Sequence, residues 1–223
     1  MNKDFSCQKC GACCQKFGHG NRNYLPLYDW EVPELENIAK SKNIEIDIRP
    51  VSIFYDSISK KFFAVIYGMF DPPCRFYSKE KGCTIYENRP FVCRTFPLFW
   101  LPSTVPDRIF GAHCFGHCNM FNHDLFLQSL TKKPLTTKGI SRRVHKYYGN
   151  CYISCYGSNK VNIYITNLLK ELEEKNILCL TKIDYGTNID VMPFFEFLVK
   201  NKIISEKKKG KLIERFEKMK NFV

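Results

Sequence analysis

Four cysteines lie within the eight residues from Cys7 to Cys14, in the string CQKCGACC. A C-x2-C-x2-C run lets three sulfurs face one centre, because a tight loop can reverse the chain at every third residue. Gly11, between the second and third sulfurs, supplies the backbone freedom that such a loop needs. Thiolate sulfur is a preferred ligand of zinc and of iron–sulfur clusters. The opening string therefore predicts a metal site.

The spacing leaves the fourth ligand of that site open. The first two intervals are those of a ferredoxin-type iron–sulfur run, yet Phe17 stands where its fourth cysteine would follow. Cys14 is one candidate. Neighbouring side chains often diverge, however, so Cys13 and Cys14 could serve different metals. A split of that kind would join the N-terminal loop to the later cysteines.

Two further groups of cysteines lie in the loop-rich stretch from residue 71 to residue 118. The second group is Cys74, Cys83 and Cys93, and the third is Cys114 and Cys118. Pro90 in ENRPFVCRTF predicts the start of a short helix, which places Cys93 in a first turn where the helix dipole favours a thiolate. Arg89 and Arg94 flank Cys93. Of the two, Arg94 is predicted to bind the cofactor by offsetting the charge of an anionic cluster.

CQKCGACC, PPCRFY and GCTIYENRPFVCRTFP together resemble the CxxCxxCC cysteine-cluster family, whose members are described as zinc- or iron-chelating domains. The resemblance covers about residues 5–118. It implies that eight cysteines are metal ligands: Cys7, Cys10, Cys13, Cys14, Cys74, Cys83, Cys93 and Cys114. Flagellin lysine methylases share a similar pattern, which makes a protein-modifying enzyme conceivable.

Two departures from the family outline leave the exact ligand set open. A long predicted hairpin separates Cys14 from Cys74. In addition, His113, His117 and Cys118 stand beside the last expected ligand in AHCFGHC and could add donors. Cysteines elsewhere are predicted to be structural, and these are Cys151, Cys155 and Cys179.

Eight thiolates could hold one or two 4Fe–4S clusters or two all-thiolate zinc sites. Aromatic side chains around the later cysteines would shield a redox cluster from water. They are Phe76, Tyr77, Phe91, Phe96, Phe99, Trp100 and Phe115. Adjacent cysteines and irregular spacing are unlike the paired C-x2-C knuckles of structural zinc. The sequence therefore favours an iron–sulfur cofactor over zinc.

The sequence segments around these cysteines predict both helices and strands, and therefore an α+β fold. YLPLYDWEVPELENIAKSKNI predicts a helix with Asp29 as its N-cap, and IDIRPVSIFYDSISKKFFAVIYGMF predicts a β-hairpin around DSISKK. Amphipathic helices follow in NKVNIYITNLLKELEEKNIL, in DVMPFFEFLVKNKII and in the Lys-rich last segment. We thus predict a loop-rich, metal-stapled cysteine-cluster domain over 1–131 and a mainly helical region over 132–223. The least regular stretch is 132–159.

The composition of the sequence predicts the cellular compartment of the protein. No run of eighteen apolar residues and no apolar stretch before Cys7 are present, so neither a membrane span nor a secretory signal is expected. A cytoplasmic location follows, with no membrane partner. A reducing cytosol makes metal or redox chemistry the expected use of twelve cysteines, rather than disulfides.

The net charge of +12 raises a nucleic-acid partner as an alternative, and much of the excess lies in the Lys-rich tail. No Walker loop, Rossmann glycine pattern or hydrolase elbow is present, so no catalytic residue can be named. The leading prediction is an iron–sulfur protein in redox or protein-modification chemistry, an oxidoreductase or a modifying enzyme, with a protein substrate or redox partner. Its alternatives are a structural zinc protein, a metal chelator or chaperone, and a basic nucleic-acid-binding metal module.

Overall fold

The computed structural model describes residues 7–15, 24–70, 72–96, 98–100, 109–111, 145–183 and 189–220. The chain packs into two compact units, each made of separated segments. As far as their residues are described, the cysteine unit comprises 1–16, 76–162 and 217–223, and the sheet unit comprises 17–75 and 163–216. The predicted domain boundary between residues 131 and 132 lies outside the described residues and stays a prediction.

The described residues contain both helices and strands, which confirms the predicted α+β class. The strands are β1 Leu25–Tyr28, β2 Ile48–Asp56, β3 Lys61–Met69, β4 Tyr77–Ser78, β5 Gly82–Cys83, β6 Leu98–Trp100, β7 Ile109–Gly111, β8 Leu180–Ile183 and β9 Met192–Pro193. The helices are α1 Ala12–Gln15, α2 Glu31–Ser41, α3 Phe91–Thr95, α4 Asn150–Glu174, α5 Phe194–Lys200 and α6 Glu206–Lys220. None of these helices is long and apolar enough to cross a membrane.

The sheet unit is built around the predicted hairpin. Strands β2 and β3 pair antiparallel, with Asp56 opposite Lys61, and the turn between them is confirmed at residues 57–60. The strand order is β1-β3-β2-β8, and β9 pairs in parallel with the start of β3. Ile53 and Phe63 on the two hairpin strands are completely buried. The β-branched and aromatic residues of this segment therefore form a sheet with one face in the core.

Phenylalanines of α5 cover that buried face. The ring centroid of Phe63 lies 4.3 Å from that of Phe197 and 5.7 Å from that of Phe194. Trp30 contacts the rings of Phe195 and Phe216, at 5.7 and 5.2 Å between centroids. Each fully buried ring of this size contributes about 1.5–3 kcal/mol to folding. The predicted role of MPFFEFL as helix core is confirmed from Phe194 onward, whereas Met192 and Pro193 form β9.

A buried carboxylate fastens the hairpin turn to β8. Burial raises the pKa of Asp56, but backbone N–H donors outweigh it and leave the pKa below its ordinary value. These donors are the N–H groups of Cys179 and Ser59, both at 2.9 Å, and of Ile58 at 3.3 Å. These N–H groups, in place of water, stabilise the negative charge of the Asp56 carboxylate.

The predicted N-cap role of Asp29 on α2 is wrong. Trp30 holds the N-cap position of α2, without a side-chain cap bond. The Oδ2 atom of Asp29 instead accepts the N–H of Phe195 at 2.9 Å, at the start of α5. The first turn of α5 leaves its own N–H groups unpaired, and Asp29 reaches one of them across the fold. Within the described chain its Oδ1 atom is buried without a hydrogen-bond partner.

Residues 145–148 are helical and helix α4 begins at Asn150, so the prediction of irregular structure over YYGNCYISCYGSN is wrong. Cys155 and Val161 are completely buried along the helix. Gly157 lies so close to the backbone carbonyl of Met219 that a Cβ there would overlap it, and Ser154 Oγ donates to Lys220 O at 3.1 Å. Packing within the cysteine unit thus overrides the weak helix propensity of this Gly- and Tyr-rich segment.

Candidate metal centre

Residues 7–15, which we call the cysteine loop, turn at Gly11 and end in α1. The N–H groups of Cys14 and Gln15 both donate to Gly11 O, at 2.8 and 2.9 Å. Gly11 has a φ of +76°, a region that favours glycine. The predicted need for glycine between the second and third sulfurs is therefore confirmed.

The cysteine loop lies on the two-stranded ribbon of β4 and β5. Tyr77 Oη donates to Cys10 O at 3.2 Å, and Gly82 lets Lys9 approach, since a Cβ on Gly82 would be 2.9 Å from Lys9 Cβ. In the same ribbon, Tyr77 is the register partner of Cys83. The fold thus brings the first cysteine group to the element that carries Cys83.

Cys93 occupies the first turn of α3, as predicted. Pro90 is the N-cap residue, and the N–H of Cys93 donates to Pro90 O at 3.0 Å. Phe91, at the first position of the helix, is 1% exposed and anchors it in the core. The partial positive charge of a helix N-terminus favours the thiolate form of a cysteine in this position.

Cys13 and Cys14 present their sulfurs side by side, with 4.0 Å between the two Sγ atoms. The hydrogen bond between them is the main cause that lowers the pKa of Cys13 to about 7, against burial, which raises it. The positive charge of Arg89 lowers the pKa further. Two sulfurs bound tetrahedrally at 2.3 Å to one zinc ion lie about 3.8 Å apart. The observed separation fits two ligands of a single metal.

Arg89 is the arginine that acts on the cysteine loop. Its guanidinium carbon lies 3.6 Å from the ring centroid of Tyr86, and its Nε donates to Tyr86 O at 2.8 Å. Arg94 donates from Nε to Arg89 O at 2.9 Å and from Nη2 to Glu87 O. Arg94 therefore supports the backbone that carries Arg89, while its predicted cofactor-binding role stays a prediction.

Tyr86 lies within electrostatic reach of the cysteine loop and of Cys151 on α4. Burial raises the pKa of Tyr86, the charge of Arg89 lowers it, and the charges of Cys7 and Cys151 raise it. The Nζ atom of Lys9 lies 4.8 Å from the centroid of the same ring. Sequence reasoning did not connect Cys151 to the cysteine loop, because 137 residues separate it from Cys14 and no motif frames it.

The candidate ligands differ in exposure, and some of them lie outside the described residues. Cys7 and Cys10 are exposed, whereas five others are half-buried: Cys13, Cys14, Cys74, Cys83 and Cys93. Cys74 belongs to the sheet unit. Cys114, Cys118, His113 and His117 lie outside the described residues.

Donor chemistry in the described ranges fits thiophilic metals. No disulfide joins any two of the ten cysteines found there. Nor do any three Cys, His, Asp or Glu side chains of these ranges approach closely enough to hold one ion. Two residues of the predicted aromatic shell, Phe76 and Phe91, are each 1% exposed. The described residues thus supply the Cys13–Cys14 pair and further thiols in the same unit.

We expect a Gly11→Ala substitution to displace the cysteine loop from β4. The new Cβ would overlap the ring of Tyr77, and the positive φ adds roughly 1–2 kcal/mol of strain. Urea denaturation should show that the free energy of unfolding falls by about 2 kcal/mol, and the affinity for added Zn²⁺ should fall at least tenfold.

Gly210→Ala on α6 is the matched control, because a Cβ there meets nothing within 4 Å. That helix should gain up to about 1 kcal/mol. Equal behaviour of the two variants would contradict the assigned role of Gly11.

A family model described as CxxCxxCC, "Putative zinc- or iron-chelating domain", matches residues 6–125. The match spans all eight cysteines predicted as ligands and ends before Cys151. No curated protein and no solved structure matches the chain.

Proposed function

The chain belongs to the CxxCxxCC family of zinc- or iron-chelating domains, and from that premise we propose that it is a thiolate metalloprotein whose cysteine loop forms the metal centre. One observation carries the proposal. The sulfurs of Cys13 and Cys14 lie 4.0 Å apart, with the pKa of Cys13 lowered to about 7, on a loop packed against the ribbon that contains Cys83.

Among the described residues, six ligands of the proposed centre belong to the cysteine unit: Cys7, Cys10, Cys13, Cys14, Cys83 and Cys93. Cys74 and Cys114 complete the set that the family resemblance implies. Thiols must lose their protons to bind a metal, so a thiol with a pKa near neutrality lowers the free-energy cost of loading. Cys13 is therefore the natural first ligand.

Neighbouring residues would orient and balance this centre. Tyr77 holds the peptide carbonyl of Cys10, which fixes the direction of the first C-x2-C turn. Arg89 supplies a positive charge that offsets a cluster of thiolates, and Arg94 holds Arg89 in place through its backbone. Outer residues of this kind tune the affinity and potential of a metal site.

The first candidate for the bound group is a 4Fe–4S cluster serving redox or protein-modification chemistry. Support comes from the C-x2-C-x2-C spacing and from the buried rings of Phe76 and Phe91. Such a cluster supplies one-electron transfer when bound. The protein's own residues hold the sulfurs and balance their charge.

The second candidate is zinc in a structural or metal-chelating role. The 4.0 Å separation of Cys13 and Cys14 favours it, because both sulfurs can then bind one tetrahedral ion. A closed site of four thiolates would leave no position for a substrate, and its contribution would be to stability.

Anaerobic purification followed by elemental analysis, sulfide assay and a visible spectrum tests the proposal. Iron with equimolar acid-labile sulfide and broad visible absorption supports the first candidate, and colourless protein with bound zinc supports the second. A folded protein that retains neither metal, even after loading with Zn²⁺ or with ferrous iron and sulfide, contradicts the proposal. A Cys179→Ser variant, which changes an exposed thiol outside the ligand set, should load like the wild type.

A further inference from the structure

Positive charge is concentrated near the end of the sequence. Residues 200–223 contain nine Lys or Arg side chains and three acidic ones, against a net charge of +12 for the whole chain. The metal centre uses none of them. In the described chain most of these cations lie on α6, so the arrangement of α6 decides what the excess charge can do.

Five exposed cations share one face of α6, and four of them belong to the sheet unit: Lys207, Lys208, Lys211 and Arg215. At about 100° per residue they fall within an arc of about 100°, and they extend over about 12 Å of helix. No acidic residue falls within that arc. We call these four residues the basic stripe.

Several other charges of the region are paired. Lys209 pairs with Glu206, and on the adjacent stretch of α4 Glu171 pairs with Lys175. Hydrogen bonding from Lys175 is the main cause that lowers the pKa of Glu171, and Lys208 contributes less. Within the described chain, no side chain of the basic stripe forms an ion pair. A row of like charges without ion-pair partners favours binding of an external polyanion.

A membrane surface is a poor partner for this face. A helix that lies on a bilayer must bury its own apolar side in the lipid. On α6 that side is used within the protein, since Leu212 is 8% exposed and Phe216 is 1% exposed. Only charge would remain to hold the protein to lipid.

A protein partner is also a poor fit. Protein interfaces place apolar and aromatic side chains at their centre. The large apolar residues exposed in the described chain are Ile58, Tyr156 and Ile177, and none of them belongs to α6. Phosphodiester backbones need no such centre, since they bind through charge alone. Side chains four residues apart on a helix recur about every 6 Å, which suits successive phosphates.

We infer that the basic stripe of α6 binds the phosphate backbone of a nucleic acid without reading its sequence. Lysines act as point charges on separate phosphates, and Arg215 at the end of the stripe can donate two parallel hydrogen bonds to one phosphate. The inference does not depend on the metal centre, and it predicts binding by metal-free and metal-loaded protein alike.

Fluorescence anisotropy with labelled 20-nucleotide poly(U), poly(dT) and a mixed 20-base-pair DNA duplex provides the test, using the full chain at 50–200 mM KCl. Four phosphate contacts on a single strand should give a slope of about −3 in log K against log salt. Replacing all four stripe residues with Gln should weaken binding at 50 mM KCl at least 100-fold and flatten that slope. The relative affinities of the three probes identify RNA or DNA as the source of the backbone.

A matched control removes the same charge from exposed positions of the same unit. Gln replaces four lysines away from the stripe: Lys40, Lys42, Lys60 and Lys182. This variant should bind within about threefold of the wild type, because those lysines contact no phosphate. Circular dichroism melts show whether both variants fold.

Three outcomes would overturn the inference. They are no binding of any probe at 50 mM KCl, equal losses in the stripe and control variants, and tighter binding to phosphatidylserine vesicles or polyglutamate than to every nucleic acid. Should the stripe variant fail to fold, the single Lys207→Gln and Lys211→Gln variants must each reduce the salt slope by about 0.7. Unchanged slopes would equally overturn it.

Discussion

Replacing Cys13 and Cys14 together with serine will abolish metal binding by the cysteine loop. The two sulfurs lie 4.0 Å apart and would provide half the donors of a tetrahedral ion. Loss of residues that only orient ligands already reduces metal affinity 10- to 100-fold, so loss of two ligands should exceed 100-fold. Competition with a chromophoric chelator measures the affinity, and elemental analysis measures the content.

Cys179→Ser is the matched control, because it removes an exposed thiol in the sheet unit. It should leave both measurements unchanged. The single Cys13→Ser and Cys14→Ser variants then report whether one metal is shared. Ligands of one ion should show strongly non-additive losses, whereas ligands of separate ions should show losses that add. Full metal content in the double variant would remove both residues from the ligand set.

Protein stability will decrease between about pH 4 and pH 7 because of Asp29. Burial raises the pKa of this carboxyl from 3.8 to about 7, against the N–H of Phe195 and the charge of Lys209, which lower it. Since the folded state holds the proton over that range and the unfolded state does not, stability is lost as pH rises and the loss is complete above pH 7. The expected loss is about 4 kcal/mol. Urea denaturation across pH 4–8 measures it.

An Asp29→Asn variant should remove this pH dependence. Its Oδ1 can still accept the N–H of Phe195, and its amide stays neutral, so it should be more stable than the wild type at pH 8 and similar at pH 4. Asp47→Asn is the control, because the hydrogen bond from Arg49 lowers the pKa of Asp47. It should lose stability at pH 8. An unchanged pH profile in Asp29→Asn would refute the assignment.

The elements with strong local patterns could be predicted from the sequence. The hairpin of β2 and β3 follows from β-branched and aromatic residues around a polar turn, and α3 follows from Pro90. The pattern did not reveal the partner of Asp29, since the Phe195 N–H lies 166 residues away. The start of α4 was missed for a similar reason, because contacts of Ser154 and Gly157 with α6 stabilise a segment of weak helix propensity.

In the candidate site, too, local patterns predicted some features, whereas others depend on contacts distant in sequence. Cysteine spacing predicted the turn at Gly11 and Pro90 predicted the helical setting of Cys93, and the structure confirms both. The sequence assigned a cofactor-binding role to Arg94, which stays a prediction, and did not single out Arg89 as a residue whose charge acts on Cys13. Both arginines flank Cys93, so only the direction of their side chains distinguishes them. Side-chain direction depends on tertiary contacts, which short motifs do not encode.

The cysteine unit has a consequence for the order of events during synthesis. It contains residues 7–15 together with the last turn of α6 at 217–220, which packs on Ser154 and Gly157 of α4. At 5–20 residues per second, about 10–40 s pass between translation of the first thiols and translation of that last turn. Throughout this interval the early cysteines precede the last segment of their own unit. The cysteine unit can therefore complete its packing only after translation has reached that final turn.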